Sequence, residues 1–415
     1  MKTDMKKIIS LLLAFLFAVA VFAGCSESGT ISDGSGKESL SGDSDSSENS
    51  GNSSESGEEA EELEKFDEYN LSLYMKPFWE GKVMYNETAL FVGKGDKAPL
   101  LYKATEIVSV RSYDLKTEYK KGVDYNFDEK TNSLYLTSGT TIPYFEEDEY
   151  YPSVFINGRT FGCNLKDKPY LFFSEGKTIS EKQIAITYRH NGENLIAAPE
   201  GSNGFKKLAE KLKKNESAKI LFYGDSITFG CNSSGFVGIA PNADCWTKMV
   251  FDSLTAKYGA TNAEYINTAV GGYSTDDGIN NLEERVITHS PDAVVIAFGM
   301  NDYTLNSSQH ILRIKTIVNA IREKLPETEI CLVTPFLPNK EAAGAWAQQF
   351  TFAEEYYGLV DSYGENSGIC IADVTKVHTE ILEKKRYRDM TGNNVNHTND
   401  FTARMYAHTV FKTIA

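Results

Sequence analysis

Four short segments of the 415-residue chain carry residue types suited to acyl transfer. The first is Gly224-Asp225-Ser226-Ile227-Thr228, directly after the apolar run 220–223. A serine at such a strand-to-helix turn exposes its hydroxyl, and its own N–H lies where developing negative charge is favoured. Those are the needs of a nucleophile with an oxyanion donor. The second segment, Asn267-Thr-Ala-Val-Gly271-Gly272, follows the run 263–266. A glycine there either brings a backbone N–H close to substrate or only makes a tight turn. The third, Gly299-Met300-Asn301-Asp302, follows the run 293–298. Its Asn301 can aim a side-chain N–H at an oxyanion or cap the next helix. The fourth runs from Asn393 to Phe401 and contains His397. An imidazole titrates near neutral pH, which suits a general base, although a loop histidine need have no role. Each segment alone is ambiguous.

The elements that must position these residues are legible as a rhythm. After residue 203, apolar runs at 220–223, 263–266, 293–298, 330–333 and 369–372 alternate with helical stretches at 205–214, 311–325, 350–363 and 400–407. Strands that are mostly apolar and alternate with helices imply a parallel sheet covered on both faces. Ligands in such sheets bind beyond the carboxyl ends of the strands, which is where three of the four segments fall. Residues 66–200 have a different texture. Short β-branched or aromatic runs at 71–74, 82–85, 106–111, 133–137 and 183–188 are separated by turn signals such as Asn157-Gly158 and Asn191-Gly192. Strands of this kind predict an all-β sandwich. The expected class is α/β: a three-layer α/β/α domain over 201–415, preceded by a jelly-roll-like β-sandwich over 66–200.

Taken together, Gly224-Asp225-Ser226, Gly272, Gly299-Met300-Asn301-Asp302 and a histidine before the last helix resemble the SGNH hydrolases, also called the GDSL esterase/lipase superfamily, over roughly residues 218–415. The resemblance implies Ser226 as nucleophile and His397 as general base. It implies an oxyanion hole built from the Ser226 N–H, the Gly272 N–H and the Asn301 side chain, with Gly271 as the alternative to Gly272. No cofactor and no metal are implied, and the remaining histidines form no metal-ligand pattern. Asp225 and Trp246 are assigned to substrate contact; Trp79 and Trp346 can likewise stack on a sugar or pack in a core.

One position departs from the family pattern. The residue three before the histidine is usually Asp, and here it is Asn394. An amide oxygen can orient the imidazole but adds no full charge. A Ser226–His397 dyad with His397 oriented by Asn394 or a backbone carbonyl is the expected arrangement. If the site is a triad, Asp389 and Asp400 are the nearby acids available to complete it.

The order of a β-rich domain before an SGNH-like domain resembles carbohydrate esterase family 2, whose members remove acetyl groups from plant polysaccharides. The implied function is a serine esterase that removes O-acetyl groups from a polysaccharide. Two alternatives stand beside it: a weakly active or inactive carbohydrate-binding protein, motivated by Asn394, and an O-acyltransferase on the same fold.

The chain start reads as an address. Lys2, Lys6 and Lys7 precede an apolar run at 8–22, which as a helix spans about 22 Å against the ~30 Å of a hydrocarbon core. That length suits a signal peptide over 1–24. Val21-Phe22-Ala23-Gly24-Cys25 resembles a bacterial lipobox, which implies lipidation of Cys25 and anchoring to the outer face of a membrane. Residues 26–60 hold 13 Ser and 6 Gly, and residues 26–65 hold 12 acidic but only 2 basic residues. Such a segment reads as a flexible tether over 25–65. The net charge of −16 argues against nucleic acid as a partner. Cys231 and Cys245 flank one loop, as either a disulfide or free thiols.

Overall fold

A computed structural model describes residues 62–200, 204–344 and 346–415, without the side chains of residues 346 and 347. The signal run, Cys25 and the tether up to residue 61 lie outside the described residues, as does the Trp346 side chain. Glu64–Ala415 form one compact unit.

The strand-rich region contains two three-stranded antiparallel sheets and a hairpin. Strands β1 (Val83–Leu90), β3 (Ala104–Ser112) and β8 (Gln183–His190) pair in the order β1-β8-β3. Strands β2 (Lys97–Pro99), β4 (Tyr125–Asp128) and β5 (Ser133–Leu136) pair as β2-β5-β4. The hairpin joins β6 (Thr160–Gly162) to β7 (Tyr170–Phe172). One expected strand is a helix: Leu71–Tyr74 is a single turn, because the Asn70 side chain accepts from the Leu73 N–H and starts it.

From residue 204 the fold is a parallel sheet of five strands, β9 (Ala218–Gly224), β10 (Ala263–Asn267), β11 (Ala293–Ala297), β12 (Glu329–Val333) and β13 (Ile369–Ala372). Their order is β10-β9-β11-β12-β13. Alternate side chains enter two different cores. Leu221, Tyr223, Val294, Ile296 and Leu332 pack towards helices Ser307–Lys324 and Ala353–Tyr363. Ile220, Phe222, Val295, Cys331 and Ala372 pack towards helices Trp246–Tyr258, Val374–Leu382 and Asp400–Ile414. Both faces are covered, so the strands read as mostly apolar runs, broken at Lys219 in β9, Glu264 in β10 and Glu329 in β12.

That second core does not stop at residue 200. It continues through Phe78, Leu90, Tyr102, Ile184 and Tyr188 of the strand-rich region. Helix Asp400–Ile414 is consequently buried on almost every side. Phe78 stacks on Phe401 at 4.5 Å, and the Arg404 guanidinium donates to the carbonyls of Tyr85 and Tyr74 at 2.6 and 3.2 Å. The change of rhythm near residue 200 therefore marks a change of sheet type within a shared core.

Candidate active site

The strand order reverses at β9, with β10 on one side and β11 on the other, so the carboxyl ends of these three neighbouring parallel strands frame one crevice. Ser226 follows β9. Asp225 is extended, and its carboxylate accepts from the Ile227 N–H at 2.9 Å, which caps helix Ser226–Phe229 at its first residue, Ser226. The helix closes at Gly230 in the left-handed region, φ 99°. Gly224 is dictated by close approach. A Cβ there would lie 2.2 Å from the Ala297 carbonyl oxygen of the adjacent strand and 2.3 Å from Thr228 Oγ1. The nucleophile candidate is thus held between the sheet and its own turn.

His397 reaches this serine from the opposite end of the domain. Its Nε2 lies 2.8 Å from Ser226 Oγ. Its Nδ1 lies 2.7 Å from Asn232 Oδ1 and 2.9 Å from Glu175 Oε2. Asn232 cannot reverse its amide without loss, because Nδ2 donates to the carbonyls of Glu175, Gly176 and Gly392 at 3.0, 3.4 and 3.3 Å. Both neighbours of Nδ1 are therefore acceptors, so Nδ1 carries the proton and Nε2 is free to accept from Ser226. Asn393 shapes the loop: its Oδ1 accepts the N–H groups of Val395, Asn396 and His397 at 3.0, 2.9 and 2.9 Å. Burial would lower the His397 pKa, but the charge of Glu175, its hydrogen bond and the charge of Asp225 outweigh it and hold the imidazole above its usual value. Glu175 responds reciprocally. Burial opposes ionisation, yet His397 and a hydrogen bond from Asn393 keep the carboxyl below its usual range.

The two remaining donors implied by the family pattern lie side by side. Gly272 has φ 82°, in the left-handed region that glycine favours. The adjacent Tyr273 carbonyl accepts from Asn301 Nδ2 at 2.9 Å. One N–H of that amide is thereby fixed, and the other remains for a ligand. Val270 N–H donates to the Gly224 carbonyl at 3.1 Å, which ties the Gly272 turn to the strand before Ser226. Asp302 supports this wall: its carboxylate accepts from Thr275 N–H at 2.9 Å and pairs with buried His310 Nδ1 at 2.7 Å.

Several sequence expectations need correction, and the alternatives left open for Trp79, Cys231 and Cys245 are decided. Asn394 does not touch His397. Its φ of 73° turns the side chain away, so that Nδ2 donates to the Phe172 carbonyl at 2.9 Å and Oδ1 accepts from Tyr150 OH at 2.7 Å. Asp389 is paired with Arg386 at 2.7 Å, and Asp400 accepts from Ser234 N–H at 2.8 Å, so neither replaces it. Asp225 is buried and caps the serine helix, so it does not face substrate. Trp246 is buried beneath the site; its Nε1 donates to the Ile227 carbonyl at 2.9 Å and its ring stacks on Tyr406 at 5.3 Å. Trp79 is buried as well. Cys231 and Cys245 are free thiols. Burial holds His378 and His408 neutral, each near a pKa of about 3.

Three features were not anticipated. Glu175 lies in a Ser-Glu-Gly-Lys turn and Asn232 in a Gly-Cys-Asn-Ser turn; nothing local distinguishes either from an ordinary loop residue. Phe229 and Phe236 are about half-exposed and meet edge to face at 5.8 Å, with Phe229 on the helix that begins at Ser226. An exposed aromatic three residues from a motif serine was the one available signal.

Residues 222–404 match the model of the GDSL-like Lipase/Acylhydrolase family. The chain carries a GDSL-like acylhydrolase domain. A comparison with curated proteins gives no match. Among solved structures, the chain is similar to a two-domain esterase active on acetylated mannans, at 20% identity and a TM-score of 0.39, over 49% of this chain and 50% of that one. It is also similar to an acetylxylan esterase from Geobacillus stearothermophilus, at 20% identity and a TM-score of 0.37, over 47% of this chain and 92% of that one. The chain thus spans half the length of the first and nearly all of the second.

Proposed function

We propose that this chain is a serine carboxylic ester hydrolase in which Ser226 is the nucleophile and His397 the general base. The observation that carries this reading is the 2.8 Å contact between Ser226 Oγ and His397 Nε2, with Nδ1 already committed to acceptors. His397 Nε2 takes the Ser226 proton as Oγ attacks the ester carbonyl. The tetrahedral oxyanion is met by the Ser226 N–H, the Gly272 N–H and the free Asn301 amide proton. The imidazolium then protonates the leaving alkoxide, and a water deprotonated by His397 releases the acyl group from Ser226.

For substrate, we propose O-acetyl groups on an external polysaccharide. The lipobox-like Cys25 and the acidic Ser-rich tether support an enzyme held at a membrane's outer face within reach of polymer. The exposed Phe229–Phe236 pair supplies an aromatic surface for a sugar ring beside the serine helix. The inactive-protein alternative rested on Asn394, and a carboxylate at His397 Nδ1 removes its motive. An acyltransferase differs only in the second step, where a sugar hydroxyl replaces water.

The test is hydrolysis of an aryl acetate and acetate release from acetylated xylan, mannan, pectin and peptidoglycan. Ser226→Ala should abolish both, and Asn301→Ala should slow aryl acetate turnover by about 10²–10³-fold. Undiminished turnover by Ser226→Ala would overturn the mechanism.

A further inference from the structure

We propose that Glu175 is the positioning carboxylate of His397, supplied to the acylhydrolase domain by the strand-rich region in place of the acid absent at position 394. This rests on the reading of Ser226 as nucleophile and His397 as base. Its support is a set of fastenings that have no other evident purpose. The loop that follows β7 brings Glu175 Oε2 to 2.9 Å from His397 Nδ1. The other carboxylate oxygen accepts from Asn393 Nδ2 at 3.2 Å. The Glu175 and Gly176 carbonyls are gripped by Asn232 Nδ2. Asn394, at the position of the usual acid, instead clamps Phe172, the last residue of β7. Asn393 and Asn394 thus fasten the Glu175 loop to the His397 loop from two sides.

Asn232 and Glu175 divide the work at Nδ1. The amide oxygen of Asn232 fixes the tautomer and ring orientation but carries no charge. Only a carboxylate stabilises the imidazolium that forms when Ser226 gives up its proton, and Glu175 remains ionised throughout. The titratable groups that act on the imidazole are Glu175 from the loop after β7 and Asp225 from the turn after β9; the Cys231 thiol, which feels both carboxylates, is kept neutral by burial. Asp225 lies on the Ser226 side, bonded to Ile227 N–H, so Glu175 is the anion aligned with Nδ1. Its side chain is 42% exposed, so its coupling to His397 is partly screened by solvent.

The experiment is Glu175→Gln in the full chain, read by the pH dependence of aryl acetate hydrolysis and by NMR titration of His397. The variant should lose about 10- to 10³-fold in kcat with little change in KM. That is short of the ~10⁴-fold cost of amidating a triad aspartate, because Asn232 still holds Nδ1–H. The acid limb of kcat/KM should move to lower pH, since the anion that raises the His397 pKa is gone. Glu175→Asp should restore part of both. A His397 titration and an acid limb that stay where they are in the wild type would overturn the proposal, even if kcat fell. The titration needs no turnover. If Ser226→Ala shows the ester hydrolase reading to be wrong, a fall in the His397 pKa on Glu175→Gln still decides the pairing, and its absence still refutes it.

Discussion

The side-chain amide of Asn394 donates to the carbonyl of Phe172 at 2.9 Å and leaves His397 to other partners. The residue at the family's acid position has become a clamp between the histidine loop and the end of β7. Asn394→Asp, which installs the residue the family pattern calls for, should therefore fail to improve catalysis. It would set a carboxylate oxygen against the Phe172 carbonyl in a buried setting, with the N–H donor gone. The expected cost is about 1–3 kcal/mol of stability, measurable by urea unfolding. A variant as stable as the wild type and more active would contradict this assignment.

A second join between the strand-rich region and the parallel-sheet domain is ionic. Lys385 Nζ lies 2.5 Å from Glu87 Oε1, and both side chains are fully buried. Glu87 also accepts from Tyr188 OH at 2.7 Å and from Leu101 N–H at 3.0 Å. Lys385→Met strands this carboxylate without its cation, and should destabilise the fold by about 3–5 kcal/mol. The double variant Glu87→Gln/Lys385→Met should recover much of that loss. Unfolding midpoints for the three proteins check it, and a single variant equal to the wild type would show the pair to be dispensable.

Asp225 gives a pH signature. Burial, partly offset by the Ile227 N–H, His397 and the Met300 N–H, raises its pKa from an ordinary 3.8 to about 7. An acid whose pKa is higher folded than unfolded adds stability that is fully present below pH 3.8 and is lost as pH rises through about 7. Asp225→Asn keeps an acceptor for the Ile227 N–H but cannot ionise. Its stability should match the wild type near pH 4 and exceed it by up to a few kcal/mol at pH 8. Thermal unfolding across that range measures the difference; a gap that does not change with pH would contradict the burial argument.

The alternation of β9–β13 with helices could be read from the chain because both faces of a covered parallel sheet demand apolar residues, and runs such as Ala293–Ala297 carry that demand locally. Ser226, Gly272 and Asn301 could be located for the same reason, each following such a run. His397 was legible from its place before the last helix. The turn at Leu71–Tyr74 reads as a strand because its apolar residues fit either period, and the Asn70 side-chain bond makes it a helix. Trp246 was misplaced because nearness to Ser226 in sequence says nothing of direction: its helix runs behind the site and the indole points into the core. Glu175 and Asn232 left no trace because what singles them out is packing between segments far apart in the chain. A glutamate in a polar turn looks the same whether or not an imidazole comes to rest beside it.

The central claim is that His397 activates Ser226. A fluorophosphonate probe followed by peptide mapping tests it most directly, because only an activated serine reacts quickly. A single adduct on Ser226 is predicted, absent from Ser226→Ala and formed far more slowly in His397→Ala. An adduct on another residue, or labelling of His397→Ala at the wild-type rate, would contradict the account.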